Sequence, residues 1–302
     1  MKSFLACMLL ALSLGAEAQK RPAMVFLTAG QSNTDRRVSN KDLPRRIREE
    51  GYRHCLWSYG SGHLAPGNGD FEPFRPRVAQ PGDSQRWGYD AVLYYCIDQN
   101  AAEDFYVIKE SVGGTALDTA CRSTGGMYWN ASPAFLSSTA AAGRGGRSLL
   151  KAFTEHIGAC IDKRLSRLEE GYEIKALFWH QGESDQEAAG RYGENLKALV
   201  RHVRNYLVEK TGDRRYARLP VVCGTFARES QGRSEQIVEA LEALSEEDAD
   251  FHVVDAGDAS LLPDRLHFDA RGAELLGRRM FGKLKETGII EERQSLRHSP
   301  AP

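Results

Sequence analysis

The sequence predicts an α/β protein, a three-layer α/β/α sandwich with a central parallel sheet. Three observations lead there. Short apolar, β-capable runs alternate with longer segments whose apolar residues recur every three or four positions. A regular strand–helix alternation implies a parallel sheet covered by helices on both faces. Several strand runs also end in a polar or glycine-rich segment, and such sheets bind ligands beyond the carboxyl ends of their strands.

The elements follow in order. Residues 23–30 (AMVFLTAG) read as a buried strand that stops at glycine. Residues 38–54 are charged and partly helical. Residues 57–88, rich in Gly, Pro and aromatics, read as a long loop region, where function tends to reside. Residues 89–100 have helical periodicity, and 105–111 (FYVIKES) form a second strand before Gly113-Gly114. Residues 115–147 are Gly/Ala/Ser-rich. An amphipathic helix spans 149–169, a third strand 174–179 (IKALFW), and another amphipathic helix 192–208. The pattern closes with a strand at 219–225, a helix at 234–244, a strand at 251–255, a helix at 270–287 and a polar tail over 291–302. One domain over 19–290 fits this length.

Composition narrows the function. With 40 basic and 41 acidic residues the net charge is −1, which offers no long-range attraction to nucleic acid or anionic lipid. Residues 1–18 read as a signal peptide: Lys2, an apolar run from Phe4 to Leu14, and Ala16-Glu17-Ala18 before the expected cleavage. The run is too short to span a bilayer core of about 30 Å, so no membrane span is expected and the mature chain is expected to be secreted or periplasmic. Cleavage leaves Cys55, Cys96, Cys121, Cys160 and Cys223, an odd number with no metal-binding spacing. One or two disulfides are permitted, and free buried thiols are equally open for Cys96 and Cys223.

Four segments could carry chemistry. Gly30-Gln31-Ser32-Asn33 follows the first strand and sets a serine at a strand-to-helix turn, where the helix N-terminus favours negative charge. It is not a GxSxG elbow, because Thr34 stands where Gly is required. Gly113-Gly114 lets the backbone approach a ligand and turn an N–H toward it. His180-Gln181-Gly182-Glu183-Ser184-Asp185 is a polar hexapeptide after an apolar strand, and the Gln181 amide could donate to an oxyanion. Asp264 precedes His267 by three residues, so its carboxylate can orient the imidazole within one loop and leave the other ring nitrogen as a base. His63 lies in the long loop and could touch substrate. The loop aromatics Trp57, Tyr59, Phe71, Phe74, Trp87, Tyr128 and Trp129 could stack on sugars or pack on one another.

Together the four motifs resemble the SGNH-hydrolase superfamily, and within it the sialate O-acetylesterase and acetylxylan-esterase type of carbohydrate esterase. The resemblance runs from Gly30 to Arg279 and rests on GQSN, GGT, HQGESD and DRLHFDARG in that order. It implies a three-layer, flavodoxin-like α/β/α fold and hydrolysis of O-acetyl esters on carbohydrates. By its implication Ser32 is the nucleophile, His267 the general base and then acid, and Asp264 the residue that orients His267. The backbone N–H groups of Ser32 and Gly114, with the Gln181 amide, would bind the oxyanion, Gln181 standing where other members carry Asn. Gln31, Asn33, Gly113, His180 and Glu183 would support them, with Glu183 a possible rival to Asp264. The implied chemistry needs no cofactor and no metal. The substrate would be an acetylated carbohydrate, and a sialic acid carboxylate would call for an arginine among Arg75, Arg77, Arg86, Arg122 and Arg144. A general short-chain ester hydrolase and a non-catalytic glycan-binding protein are the alternatives.

Overall fold

The first strand, β1 (Ala23–Gly30), is apolar on both faces because it lies at the middle of the sheet. Val25, Leu27 and Ala29 enter one core, and Phe26 enters the other. This computed structural model describes residues 21–60, 68–76 and 86–291, so residues 1–18, His63, Arg77 and the tail past 291 lie outside the described residues. After β1 come α1 (Ser32–Asp35), β2 (Val38–Ser39), α2 (Arg45–Glu50), β3 (Cys55–Gly60), β4 (Glu72–Pro73) and β5 (Arg86–Trp87). There follow α3 (Tyr89–Asn100), β6 (Phe105–Ser111), α4 (Pro133–Ser138), α5 (Leu149–Lys163), β7 (Tyr172–His180) and α6 (Tyr192–Thr211). The chain continues through β8 (Val221–Gly224), α7 (Glu235–Glu247), β9 (Phe251–Val254) and α8 (Ala270–Glu286).

The main sheet runs β4-β3-β6-β1-β7-β8-β9, parallel except for the two-residue β4. The apolar residues of α5, α6 and α7 pack on one face, and those of α3 and α8 on the other, which makes the three layers. A bulge keeps the two cores in register. Val25 pairs with Ile174 but Phe26 pairs with Ala176, so the extra residue Lys175 switches the side-chain parity of β7. Leu177 and Trp179 then join Leu27 and Ala29, while Phe178 stacks on Phe26 with centroids 5.5 Å apart.

The order β6-β1-β7-β8-β9 is the flavodoxin-like one, and it reverses direction between β1 and β7. The chain crossings around that point leave a crevice at the strand ends. One departure from expectation is β3. Its last four residues, 57–60, read as loop, yet Cys55–Gly60 pairs in parallel with β6 over six residues. Its Trp57 is buried against Phe74 in the second core, so tertiary contacts outweigh the neighbouring Gly/Pro signals. The helix from 149 also ends at Lys163, followed by a 3₁₀ turn over Leu165–Arg167. None of the five described cysteines forms a disulfide.

Helix α8 lies against α3 through a glycine. A Cβ at Gly277 would stand 2.4 Å from the Tyr89 carbonyl oxygen and 2.9 Å from Val92 Cβ. Gly282, on the same helix, has open space around it. Alanine is the better helix former by about 1 kcal/mol, but overpacking against rigid backbone costs about 1–3 kcal/mol. Gly277→Ala is therefore expected to lower the denaturant midpoint and Gly282→Ala to raise it. Equal shifts of one sign would contradict this packing.

Candidate active site

The turn that carries Ser32 is built on the close approach of β1 and β7. At Gly30 (φ 153°) a Cβ would lie 2.2 Å from the His180 carbonyl oxygen, so only glycine lets the strand end there. The chain turns at once into α1, whose Thr34 and Asp35 N–H groups bond the Gln31 carbonyl. Ser32 is the first helical residue, so its N–H has no intrahelical acceptor. The Gly113–Gly114 turn after β6 lies alongside: a Cβ on Gly113 would be 3.4 Å from Ser32 Cβ. Gly114 adopts φ 71° and accepts a 2.8 Å bond from the Thr124 N–H.

Asp264 and His267 come together as their spacing predicts. Asp264 Oδ2 is 2.7 Å from His267 Nδ1, and Oδ1 accepts from the N–H groups of Leu266 (2.9 Å) and His267 (3.0 Å). Arg265 takes a left-handed conformation (φ 52°) to close this turn. Burial pushes the Asp264 carboxyl up, but its bonds from the His267 and Leu266 N–H groups and the imidazole hold it below its ordinary value. An ionised Asp264 fixes the tautomer with the proton on Nδ1 and leaves Nε2 as the acceptor.

Asn33 joins this loop to the Ser32 turn. Its Oδ1 accepts the Phe268 N–H at 3.0 Å, and its Nδ2 donates to Glu183 Oε1 at 2.8 Å. The carboxylate on one side and the N–H on the other allow only one orientation of the amide. Glu183 is thus no rival to Asp264. Its side chain is buried, and Oε1 also lies 3.4 Å from His180 Nε2. Burial pushes the Glu183 carboxyl up, but the His180 imidazole and the Asn33 amide hold it below its usual range. His180 Nδ1 meets the Gly224 carbonyl at 3.0 Å, and its ring packs among Tyr89, Phe226 and Phe268.

Gln181 departs from the expected oxyanion role. It is fully buried, and its amide nitrogen faces Gln31 Oε1 (3.0 Å), the Thr115 carbonyl (2.9 Å) and Asp185 Oδ2 (2.5 Å). Three internal acceptors use both amide hydrogens, so none is left for an oxyanion. Gln181 instead holds Gln31, beside Ser32, and Asp185. Asp185, which the sequence offers only as the last residue of the polar HQGESD segment, has a definite structural task. Its buried carboxylate accepts from the Leu117 and Asp118 N–H groups and so anchors the segment after the diglycine turn. Burial is the largest influence on that carboxyl and raises it. The HQGESD segment contained the signal, because an Asp four residues after Gln181 can turn back onto the same loop.

A cleft of about 490 Å³ opens beside the turn, lined by Gly114, Arg122, Thr124, Glu183, Ser184 and Glu187 among others. The aromatics do not form its walls. Trp57, Phe74, Trp87 and Trp129 are buried, and Phe71 and Tyr128 pack on the cores. Of the candidate arginines, Arg144 pairs with Glu155 and Arg75 with Glu72, whereas exposed Arg122 lines the cleft. Among the described residues, no group of three or more His, Cys, Asp or Glu could hold a metal ion, and no helix is long and apolar enough to cross a membrane.

The arrangement offers a serine at a turn, an oriented imidazole and, at Ser32, a backbone N–H without an intrahelical acceptor, parts that acyl transfer uses. Residues 137–286 match a family model described as carbohydrate esterase, sialic acid-specific acetylesterase. No curated protein sequence matches the chain. Among solved structures, one from Arabidopsis thaliana has a TM-score of 0.61 at 20% identity, covering 87% of this chain and 97% of that one. The structure titled NanS has a TM-score of 0.58 at 15% identity, covering 88% and 98%. At these identities the structural likeness speaks for the fold. The matched segment, just under half of the chain, holds the His180–Asp185 loop and the Asp264–His267 pair, and through it the chain is similar to carbohydrate esterases, which are carboxylic ester hydrolases.

Proposed function

We propose that this esterase is exported and removes O-acetyl groups from carbohydrates through an acyl-enzyme on Ser32. The observation that carries the reading is the Asp264–His267 pair, tied through Asn33 to the turn that presents Ser32. The leader-like residues 1–18 support export.

In this mechanism His267 Nε2 takes the Ser32 hydroxyl proton as Oγ attacks the acetyl carbonyl. The developing oxyanion is received by the N–H groups of Ser32 and Gly114. Imidazolium then protonates the departing sugar hydroxyl, leaving acetyl on Ser32. Water, deprotonated by His267, attacks that ester and releases acetate and free serine. Asp264 stabilises the imidazolium and keeps its orientation. Base catalysis supplies roughly 10²–10⁴-fold and each oxyanion donor about 10²–10³-fold.

The family-model description and the position of Arg122 favour a sialic acid as the sugar. The guanidinium would take its carboxylate in a bidentate pair. A binding protein on this scaffold would keep glycan affinity without turnover.

Ser32→Ala should abolish acetate release from O-acetyl sialic acid, and Asp264→Asn should lower kcat by about 10²–10⁴-fold because the tautomer is lost. Full activity in the serine variant would remove Ser32 from the mechanism. Arg122→Ala should raise KM for O-acetyl sialic acid about 10- to 100-fold, the worth of a charged hydrogen-bonded contact, while sparing 4-nitrophenyl acetate. Equal losses on both esters would assign Arg122 to structure, and acetylated xylan as the better substrate would redirect the sugar assignment.

A further inference from the structure

Beneath the nucleophile turn lies a buried cation that the mechanism does not use. Lys109, on β6, is 1% exposed, and its ammonium donates to Asp90, at the start of α3, and to the Thr34 carbonyl at 2.7 Å. Thr34 is itself fully buried and follows Ser32 by two residues, and its hydroxyl bonds the His180 carbonyl at 3.1 Å. Lys109 therefore ties three elements at one point: the strand that carries Gly113–Gly114, the turn that carries Ser32, and α3. Burial is the largest influence on its amine and works to lower it, against Asp90.

Such a pair is a poor device for stability. Desolvating two charges costs several kcal/mol, and well-packed apolar replacements are often neutral or stabilising. The turn it touches needs external support. Helix α1 has four residues and no side-chain cap, and it ends at Arg36 with φ 147°, a conformation disfavoured for a residue with a Cβ. Strain of this kind persists only where surrounding contacts over-determine it. Those contacts include Tyr59, whose hydroxyl donates to Asp35 and accepts from Arg36, and the Lys109 ammonium on Thr34.

We propose that Lys109 is a positioning residue for catalysis, holding the Thr34 carbonyl so that Ser32 keeps its place beside the Gly113–Gly114 turn, with Asp90 serving to keep the ammonium in the core. The proposal rests on the serine-esterase reading above. An error of about 1 Å in such placement costs on the order of 100-fold in rate, so the effect falls on kcat rather than on folding.

The test compares two variants of the whole protein with wild type on 4-nitrophenyl acetate, with the thermal midpoint measured for each. Wild-type turnover that Ser32→Ala abolishes establishes the serine-esterase reading first, so failure of that reading is seen separately. Lys109→Met/Asp90→Leu removes both charges at similar volume. It is expected to keep or raise the thermal midpoint, to lower kcat at least tenfold, and to leave KM within twofold. Asp90→Asn removes only the counter-charge, and a neutral Lys109 amine can still donate to Thr34. It is expected to melt lower yet lose less than threefold in kcat. Stability and kcat moving in opposite directions is the signature of positioning. The proposal is overturned if the double variant keeps wild-type kcat. It is equally overturned if Asp90→Asn loses tenfold or more, an outcome that stays decisive should the double variant fail to fold.

Discussion

The Asn33 side chain is the contact on which the site depends. It reaches Glu183 across 150 positions of sequence and Phe268 across 235, and both bonds come from one planar amide. Three loops at three strand ends are thereby fixed to one another. The loop that carries His267 is thereby bonded to the residue that follows Ser32, and in the proposed mechanism that bond sets the distance between base and nucleophile. The fold makes this possible because the sheet order reverses between β1 and β7, so the ends of those strands face a common crevice.

Around that amide the protein buries more ionisable side chains than a core tolerates without cause. Glu183 and Asp185 follow β7, Lys109 lies in β6, and Asp90 opens α3, all at the crevice end of the sheet. Each is matched to specific partners: Glu183 to the Asn33 and His180 side chains, Asp90 to the Lys109 ammonium, and Asp185 and Lys109 to backbone groups of the loops that form the site. Asp185 takes the N–H groups after the diglycine turn and Lys109 the Thr34 carbonyl, while the exposed Asp264 takes the N–H groups of Leu266 and His267. Loop backbone cannot satisfy itself as a helix or ladder does. Buried charge substitutes for that regularity, and charge-assisted bonds are the stronger kind.

Much of this was legible in the sequence, for reasons that differ by residue. The strands at β1, β6 and β7 show as apolar runs because central parallel strands are buried on both faces. Asp264 and His267 are three residues apart, so their meeting follows from local geometry. Strand β3 was hidden because Ser58 and Gly60 break its apolar run and the chain beside it is rich in Gly and Pro. Gln181 was misread for a more general reason. A polar side chain at a strand end can face the crevice or the core, and only the placement of Gln31, Thr115 and Asp185 shows that it faces inward. Lys109 and Asp90 were passed over because each alone looks like a solvated charge, and their partnership depends on β6 and α3 being neighbours.

The same reasoning explains the division between glycines and charges at this site. Gly30 and Gly113 stand where backbones or side chains must approach more closely than a Cβ allows. They remove bulk, but they also remove constraint, since glycine loses more conformational entropy on ordering than any other residue. A site built from glycine turns alone would hold its N–H groups loosely. Asp185, Asp90 and the Lys109 ammonium restore the constraint from beneath, and none of the three lines the cleft. Close approach comes from residues without side chains, and rigidity from side chains that lie behind the cleft wall.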